Sequence, residues 1–170
     1  MKKIILTAAA VFAFSFANAQ EAKSFGFVKG DVTLTGNVTT ETDKATTLSP
    51  SLAYFVSDKI SIEAGFSSIS GGTEDSSTSF NAGINYRVLE LGQRFKVFAG
   101  AGIGFGDKVT TFDVGANLNY FLTQKLSIGL NIANFLNYTK NDGVDGTTKI
   151  NLNEFDNIFN ADNFSLTYKF

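Results

Sequence analysis

The sequence contains no cysteine, no histidine and no tryptophan, and its single proline is Pro50. A chain without cysteine can form neither a disulfide nor a thiolate metal site. A chain without histidine lacks the commonest general base and the commonest transition-metal ligand. From these absences we expect no metal, no cofactor and no enzymatic activity.

Long apolar runs are equally scarce. The longest covers residues 4–16, which are uncharged and largely apolar and follow lysines at positions 2 and 3. A membrane-spanning helix needs about 20 apolar residues, so this run is too short to be one. It is typical of a signal peptide. Ala17 and Ala19 form the small-x-small cleavage pattern, so the mature chain would begin at Gln20. The sequence therefore predicts a signal peptide at 1–19, export through the Sec pathway and one domain at 20–170.

Positive charge is also in short supply. Without residues 1–19 the chain has 12 basic and 16 acidic side chains, and it contains no basic cluster. A domain that binds nucleic acid usually carries a basic patch that neutralises phosphates. The sequence therefore predicts that nucleic acid is not a partner.

Strict alternation is what the sequence does contain. From about residue 28 onward, apolar residues occupy every second position, and no window has the i, i+3, i+4 spacing of a helix. The alternation is sharpest at 60–67, 79–88, 95–105 and 112–120, and weaker at 28–38, 48–56, 126–132 and 164–170. These segments predict eight β-strands. Pro50 cannot donate to a strand ladder, so we expect a bulge there or a strand that becomes regular only after it.

The two faces of these strands differ in composition. In the four sharpest segments the apolar face carries no charge, and the opposite face is mostly glycine, serine and asparagine. Hydrocarbon around a barrel excludes charge from the outer face, and a narrow closed interior favours small residues on the inner one. A soluble β-sandwich, the alternative, usually presents lysine, glutamate and β-branched residues to water. The faces therefore favour an all-β fold, an eight-stranded antiparallel up-and-down transmembrane β-barrel.

Connections and aromatic residues fit the same interpretation. Short connections are predicted at 57–59, 89–94 and 122–125, and longer ones at 39–45, 70–77 and about 138–158, with 106–110 a short exception among the latter. Two aromatic groups would lie at the two edges of the lipid: Phe66, Phe80, Phe105, Phe112 and Tyr138 at one, and Tyr54, Tyr86, Phe95, Tyr120, Tyr168 and Phe170 at the other. Girdles of this kind mark the interfaces of outer-membrane barrels, whose short turns face the periplasm.

Charged residues also fall on the inner face. The alternation places seven of them there: Lys29, Asp31, Glu63, Arg87, Lys96, Asp113 and Lys169. Buried charges need partners, so we predict a polar network that fills the lumen. Adjacent strands would bring Glu63 near Arg87, and the return of the last strand to the first would bring Lys169 toward Asp31.

The end of the chain resembles the C-terminal signal of outer-membrane barrels, with alternating apolar residues that end in phenylalanine: Phe164, Leu166, Tyr168 and Phe170. Segments 48–59 and 95–106 are similar to the porin-family outer membrane protein β-barrel domain common in Bacteroidota. The resemblance covers the whole mature chain. It implies a location in the cell outer membrane of a Gram-negative bacterium, contact with outer-membrane lipid, and recognition of Phe170 by the barrel assembly machinery.

This resemblance specifies function poorly, because the family is functionally diverse. The first interpretation is a monomeric barrel with a structural or surface-interaction role, whose loops contact unidentified partners. The second is a small porin-like channel for ions or solutes. A secreted lipocalin-like carrier fits less well, because such a carrier needs an apolar interior to hold its ligand.

Overall fold

The computed structural model of the protein describes residues 25–40, 46–71, 76–106, 109–141, 147–149 and 163–170. The predicted signal peptide and its cleavage site lie outside these residues. Nine strands run through the described ranges: β1 Val32–Thr40, β2 Thr46–Phe55, β3 Ile60–Ser70, β4 Ser77–Leu91, β5 Phe95–Gly106, β6 Val109–Phe121, β7 Leu126–Asn141, β8 Thr147–Lys149 and β9 Phe164–Lys169. Across those ranges, no helix is long and apolar enough to cross a membrane.

Eight of the strands close into a barrel. Each strand from β1 to β7 pairs antiparallel with the next, and β9 pairs with both β7 and β1. This confirms the eight-stranded antiparallel up-and-down barrel predicted from the alternation. Pairing of β9 with both β1 and β7 closes the ring, which matters in hydrocarbon because an unpaired backbone group there costs several kcal/mol.

The last connection differs from the prediction, which placed a loop over about 138–158. β7 continues to Asn141, and β8 pairs with residues 137–139 of β7 as a short additional strand. β8 and β9 both pair with the edge of β7 that faces away from β6. The alternation missed this extension because β7 contains two register shifts, which interrupt the period of two.

Apolar side chains cover the outside of the barrel. Phe66, Phe80 and Phe105 lie side by side on neighbouring strands and are exposed to the surroundings, as one predicted girdle requires. At the other end, the rings of Phe95 and Tyr120 lie 4.6 Å apart. This surface is the one that meets lipid.

Three short turns lie at one end of the barrel, over 56–59, 92–94 and 122–125. The predicted turn at 89–94 is shorter than expected because β4 continues to Leu91. The described ends of the other connections lie at the opposite end. In an outer-membrane barrel the short turns face the periplasm, so we call these two ends the periplasmic end and the loop end.

Pro50 lies within β2 and causes neither of the irregularities that the sequence predicted. It pairs opposite Gly36 of β1 in an unbroken register. On the other side, the pairing of β2 with β3 skips residues 49 and 50 and resumes at Ser51 in the same register. An antiparallel residue donates its N–H to only one neighbour, so the missing donor interrupts one ladder locally and leaves the other intact.

Candidate functional site

Four phenylalanine rings pack together inside the barrel near its periplasmic end. Phe27 stacks on Phe55 with ring centroids 4.7 Å apart and meets the edge of Phe121 at 4.9 Å. Phe98 lies 6.0 Å from Phe27. All four side chains are buried. We call Phe27, Phe55, Phe98 and Phe121 the phenylalanine cluster.

The sequence placed only Phe98 on the inner face. Phe55 follows Tyr54, and Phe121 is flanked by Tyr120 and Leu122, so consecutive apolar residues hide the alternation at the periplasmic strand ends. The available signal is strand parity, because Phe55 and Phe121 have the same parity as the inward-facing residues of their own strands. Phe27 carries no such signal, since it precedes β1.

Phe27 belongs to the segment 25–31, which runs from inside the barrel to the start of β1. Lys169 donates from Nζ to the Gly26 carbonyl at 2.6 Å, and Arg87 donates from Nη1 to the Phe27 carbonyl at 3.2 Å. The Gly30 amide donates to the Phe55 carbonyl at 2.8 Å. Gly26 and Gly30 both have positive φ, of 112° and 93°, which favours glycine at both positions. The segment is therefore held at both of its ends.

The structure brings together two of the predicted lumen charges, Lys169 and Asp31. Lys169 Nζ lies 3.4 Å from Asp31 Oδ2, and Lys169 is only 3% exposed. Asp31 also accepts a hydrogen bond from the Val28 amide at 2.8 Å. Lys29, in contrast, does not enter the lumen: it lies on an exposed turn, and its amide donates to Asp58. That prediction was wrong because β1 starts only at Val32, so the strand alternation does not reach residue 29.

A second ionic group lies beside the phenylalanine cluster. Glu90 contacts Arg87 Nε through Oε1 and the buried Lys96 Nζ through Oε2, each at 2.9 Å. The sequence missed Glu90 because its parity assigns it to the outer face. The register of β4 against β5 shifts between Arg87 and Leu89, so Val88 is an extra residue and Glu90 comes opposite Lys96. The consecutive apolar pair Val88 and Leu89 was the available signal for this bulge.

The predicted approach of Glu63 to Arg87 was wrong. Glu63 lies opposite Gly83, whereas Arg87 lies four residues further along β4, toward the periplasmic end. At about 3.4 Å per residue, the two positions are separated by more than a side-chain contact allows. Glu63 instead accepts a hydrogen bond from Asn85 Nδ2 at 3.0 Å.

Above the phenylalanine cluster, toward the loop end, the interior holds a cavity of about 470 Å³. Phe27, Phe55 and Phe98 form its floor. Its wall is rich in small and amide side chains, and eight of its lining residues are asparagines: Asn37, Asn81, Asn85, Asn117, Asn119, Asn131, Asn134 and Asn163. Some amides pair with each other, as Asn119 does with Asn117 at 3.1 Å.

Within the described residues the charges inside the barrel are therefore divided into separate groups, and they do not form the lumen-filling network predicted from the sequence. Lys96, Lys169 and Arg87 have their partners near the phenylalanine cluster. Glu63 and Asp113 are the charged residues that line the cavity within the described chain. In those same ranges, no group of three or more acidic residues is placed to hold a metal ion.

The C-terminal residues of the predicted assembly signal lie on the seam strand β9. Phe164, Leu166 and Phe170 are exposed on the outer side. Tyr168 is only 2% exposed, and its ring packs edge-on against Phe170 at 5.4 Å. The Phe170 amide donates to the Val32 carbonyl at 3.0 Å, which ties the end of the chain to the start of β1.

The family model for the outer membrane protein beta-barrel domain matches residues 5–170. No curated protein gives a significant match. Among solved structures, the N-terminal β-barrel domain of Pseudomonas aeruginosa OprF is similar with a TM-score of 0.56 at 11% identity, over 84% of this chain and 98% of that one. The Yersinia pestis outer membrane protein Ail in a nanodisc gives 0.48 at 12% identity, over 84% of this chain and all of the other. A de novo designed transmembrane β-barrel gives 0.47 at 15% identity, over 86% of this chain and all of the other. At 11% identity the likeness to the OprF domain shows the fold alone.

Proposed function

The chain belongs to the outer membrane protein β-barrel domain family, and from that premise we propose that it is a closed, non-conducting barrel with a structural or surface-interaction role. It is an outer membrane protein, and that location implies export through the Sec pathway. The proposed role is to anchor the connections at the loop end in the membrane, where they meet partners outside the cell.

The phenylalanine cluster is the observation that carries this proposal. An ion that crossed the barrel would have to pass four packed aromatic rings whose side chains are buried. Moving an ion into such an apolar environment without compensating partners is strongly unfavourable. A barrel of eight strands is also just wide enough for side chains to fill.

The attachment of segment 25–31 supports the same role. Phe27 would have to leave for the lumen to open, and its backbone is held by Lys169 on one side and by Arg87 on the other. Both cations are themselves paired with carboxylates, Asp31 and Glu90. The closure is therefore part of the fold rather than a loosely inserted side chain.

The second candidate function is a small cation-selective channel. The cavity favours it, because its wall is polar and Glu63 and Asp113 would attract cations. Conduction would require displacement of the phenylalanine cluster.

We further propose that the protein is not an enzyme and is a monomer. The absence of histidine and cysteine from the sequence supports the first statement. Closure of the ring by β9 supports the second, because β9 pairs with the edges of β1 and β7 that a second copy would otherwise use. As a partner during assembly we propose the barrel assembly machinery, which would bind β9 through the outward-facing Leu166 and Phe170.

Single-channel recording in planar lipid bilayers tests the closed barrel. We expect no stable conductance steps from the wild-type protein. The double variant F27A/F121A removes two rings of the phenylalanine cluster and should produce steps.

The matched control is F80A/F105A, which removes two rings from the outer surface and should stay silent. Regular steps from the wild-type protein would overturn the proposal and favour the channel. Gel mobility before and after heating shows that each variant is folded.

A further inference from the structure

We propose that the cavity is a binding site for a linear aliphatic amine that carries two or more ammonium groups, held by Glu63 and Asp113. This proposal concerns the chamber above the phenylalanine cluster and does not depend on whether the barrel conducts.

The two carboxylates lie at the ends of one cross-strand row. Glu63 on β3 lies opposite Gly83 on β4, and Gly83 lies opposite Gly102 on β5. Gly102 in turn lies opposite Asp113 on β6. The two residues between the carboxylates have no side chains, so the wall between them is bare backbone.

Asp113 leans along this row. A methyl group built on Gly102 would come within 2.9 Å of Asp113 Oδ2, so the carboxylate lies over Gly102 and toward the strand of Gly83. Among the described residues, none donates a hydrogen bond to this carboxylate or forms an ion pair with it, although it is half-buried. Glu63 accepts its hydrogen bond from a neutral amide, that of Asn85, and no cation from the described part of the chain forms an ion pair with it.

Among the described residues, a single metal ion would find only two carboxylates in the cavity wall, those of Glu63 and Asp113. Calcium ligands lie within about 2.3–2.6 Å of the ion. Neighbouring strands are about 4.8 Å apart, so the backbones of the two carboxylate residues lie about 14 Å apart along the sheet, whereas the residues that share one metal ion usually lie closer together. A flexible ligand with two separate positive charges can reach both.

The remaining surfaces of the cavity suit an alkylammonium ion. Asparagine side chains supply carbonyl oxygens that accept hydrogen bonds from N–H groups. Phe27, Phe55 and Phe98 supply an apolar floor, where aliphatic carbons or a cation can lie against aromatic rings. The volume of about 470 Å³ falls in the usual range of small-molecule sites.

The positions of the protein's own cations support a positively charged ligand. Lys96, Lys169 and Arg87 are engaged by Glu90, Asp31 and backbone carbonyls, and none of them lines the cavity. The two cavity carboxylates are therefore not neutralised from within the described chain. A neutral or anionic ligand would gain less from this wall than a dication would.

Isothermal titration of 1,5-diaminopentane into the folded protein in nonionic detergent tests the proposal. We expect saturable binding with one ligand per barrel. Pentylamine should bind at least about tenfold more weakly, because it can pair with only one carboxylate, and 1,5-pentanediol should give no saturable heat.

The variants E63Q and D113N keep the shape of each side chain and remove its charge. Each should lower the affinity for the diamine about tenfold or more, to the level of pentylamine. The matched control D58N removes an exposed carboxylate from a periplasmic turn and should bind like the wild type.

Any of four results would overturn the proposal: no saturable binding by the wild type, equal binding of the diol, unchanged affinity in E63Q and D113N, or an equal loss in D58N. Folding of each variant is checked by its heat-dependent gel mobility. Conductance is recorded separately, so a failure here leaves the closed-barrel proposal unaffected.

Discussion

Lys169 Nζ lies 2.6 Å from the carbonyl oxygen of Gly26 and thereby joins the last strand of the barrel to the segment that precedes the first. The same ammonium group lies 3.4 Å from Asp31 Oδ2. One buried side chain therefore links the seam of the barrel, the N-terminal segment and the phenylalanine cluster. The contacts that close the ring and the contacts that hold segment 25–31 therefore meet at this residue.

Replacing Lys169 should loosen segment 25–31. In K169M the Gly26 carbonyl and the Asp31 carboxylate lose a charge-assisted partner, and we expect a loss of about 1.5–3 kcal/mol in the free energy of unfolding. Amide hydrogen exchange at residues 26–31 should become faster, while exchange at β5 should change less. The control K29M alters an exposed lysine and should leave both measurements unchanged. Unchanged amide exchange at residues 26–31 in K169M would show that the contacts of Lys169 do not hold the segment.

Removing a ring from the phenylalanine cluster should destabilise the barrel. Phe121 is fully buried, so F121A should lower the free energy of unfolding in urea by about 3–5 kcal/mol. The variant F121L keeps most of the volume and should lose less than about 1.5 kcal/mol. Equal losses in the two variants would mean that packing volume does not determine the contribution of this residue.

Two glycines of the wall should respond oppositely to alanine. A methyl group on Gly65 would lie 2.7 Å from the Pro50 carbonyl oxygen, which is backbone and cannot move away cheaply. We expect G65A to lose about 1–3 kcal/mol of stability. Around Gly36 nothing lies within 4 Å, so G36A should be neutral or stabilising by up to about 1 kcal/mol. Urea titration of both variants gives the comparison, and a G65A variant as stable as G36A would contradict the close approach.

Double-mutant cycles should distinguish Glu90, the observed partner of Arg87, from Glu63, the partner that the sequence predicted. Arg87 and Glu90 should show a coupling of about 1 kcal/mol at most, because Glu90 is partly exposed and solvent screens the pair. Arg87 and Glu63 should be additive within about 0.5 kcal/mol, because they share no contact. The cycles R87M/E90Q and R87M/E63Q, followed by urea unfolding, measure both couplings. Coupling in the second cycle would contradict the strand register.

Much of the fold could be read from residue order alone. The period of two placed seven of the eight barrel strands close to their observed positions, and the uncharged face identified the surface that meets lipid. These features depend only on the alternation within each strand, because every second side chain faces lipid and the others face the lumen. Predictions failed where that period is interrupted, at the Val88 bulge, in β7, and before β1 at Lys29.

The sequence by itself determined a closed antiparallel barrel, its inside and its outside, since alternation and face composition belong to each strand separately. Only the tertiary structure decided which inward side chains meet. The phenylalanine cluster joins a residue before β1 to residues of β2, β5 and β6, and the row from Glu63 to Asp113 crosses four strands. Such neighbours depend on strand register and on single-residue bulges, because a shift of one residue moves a side chain to the other face.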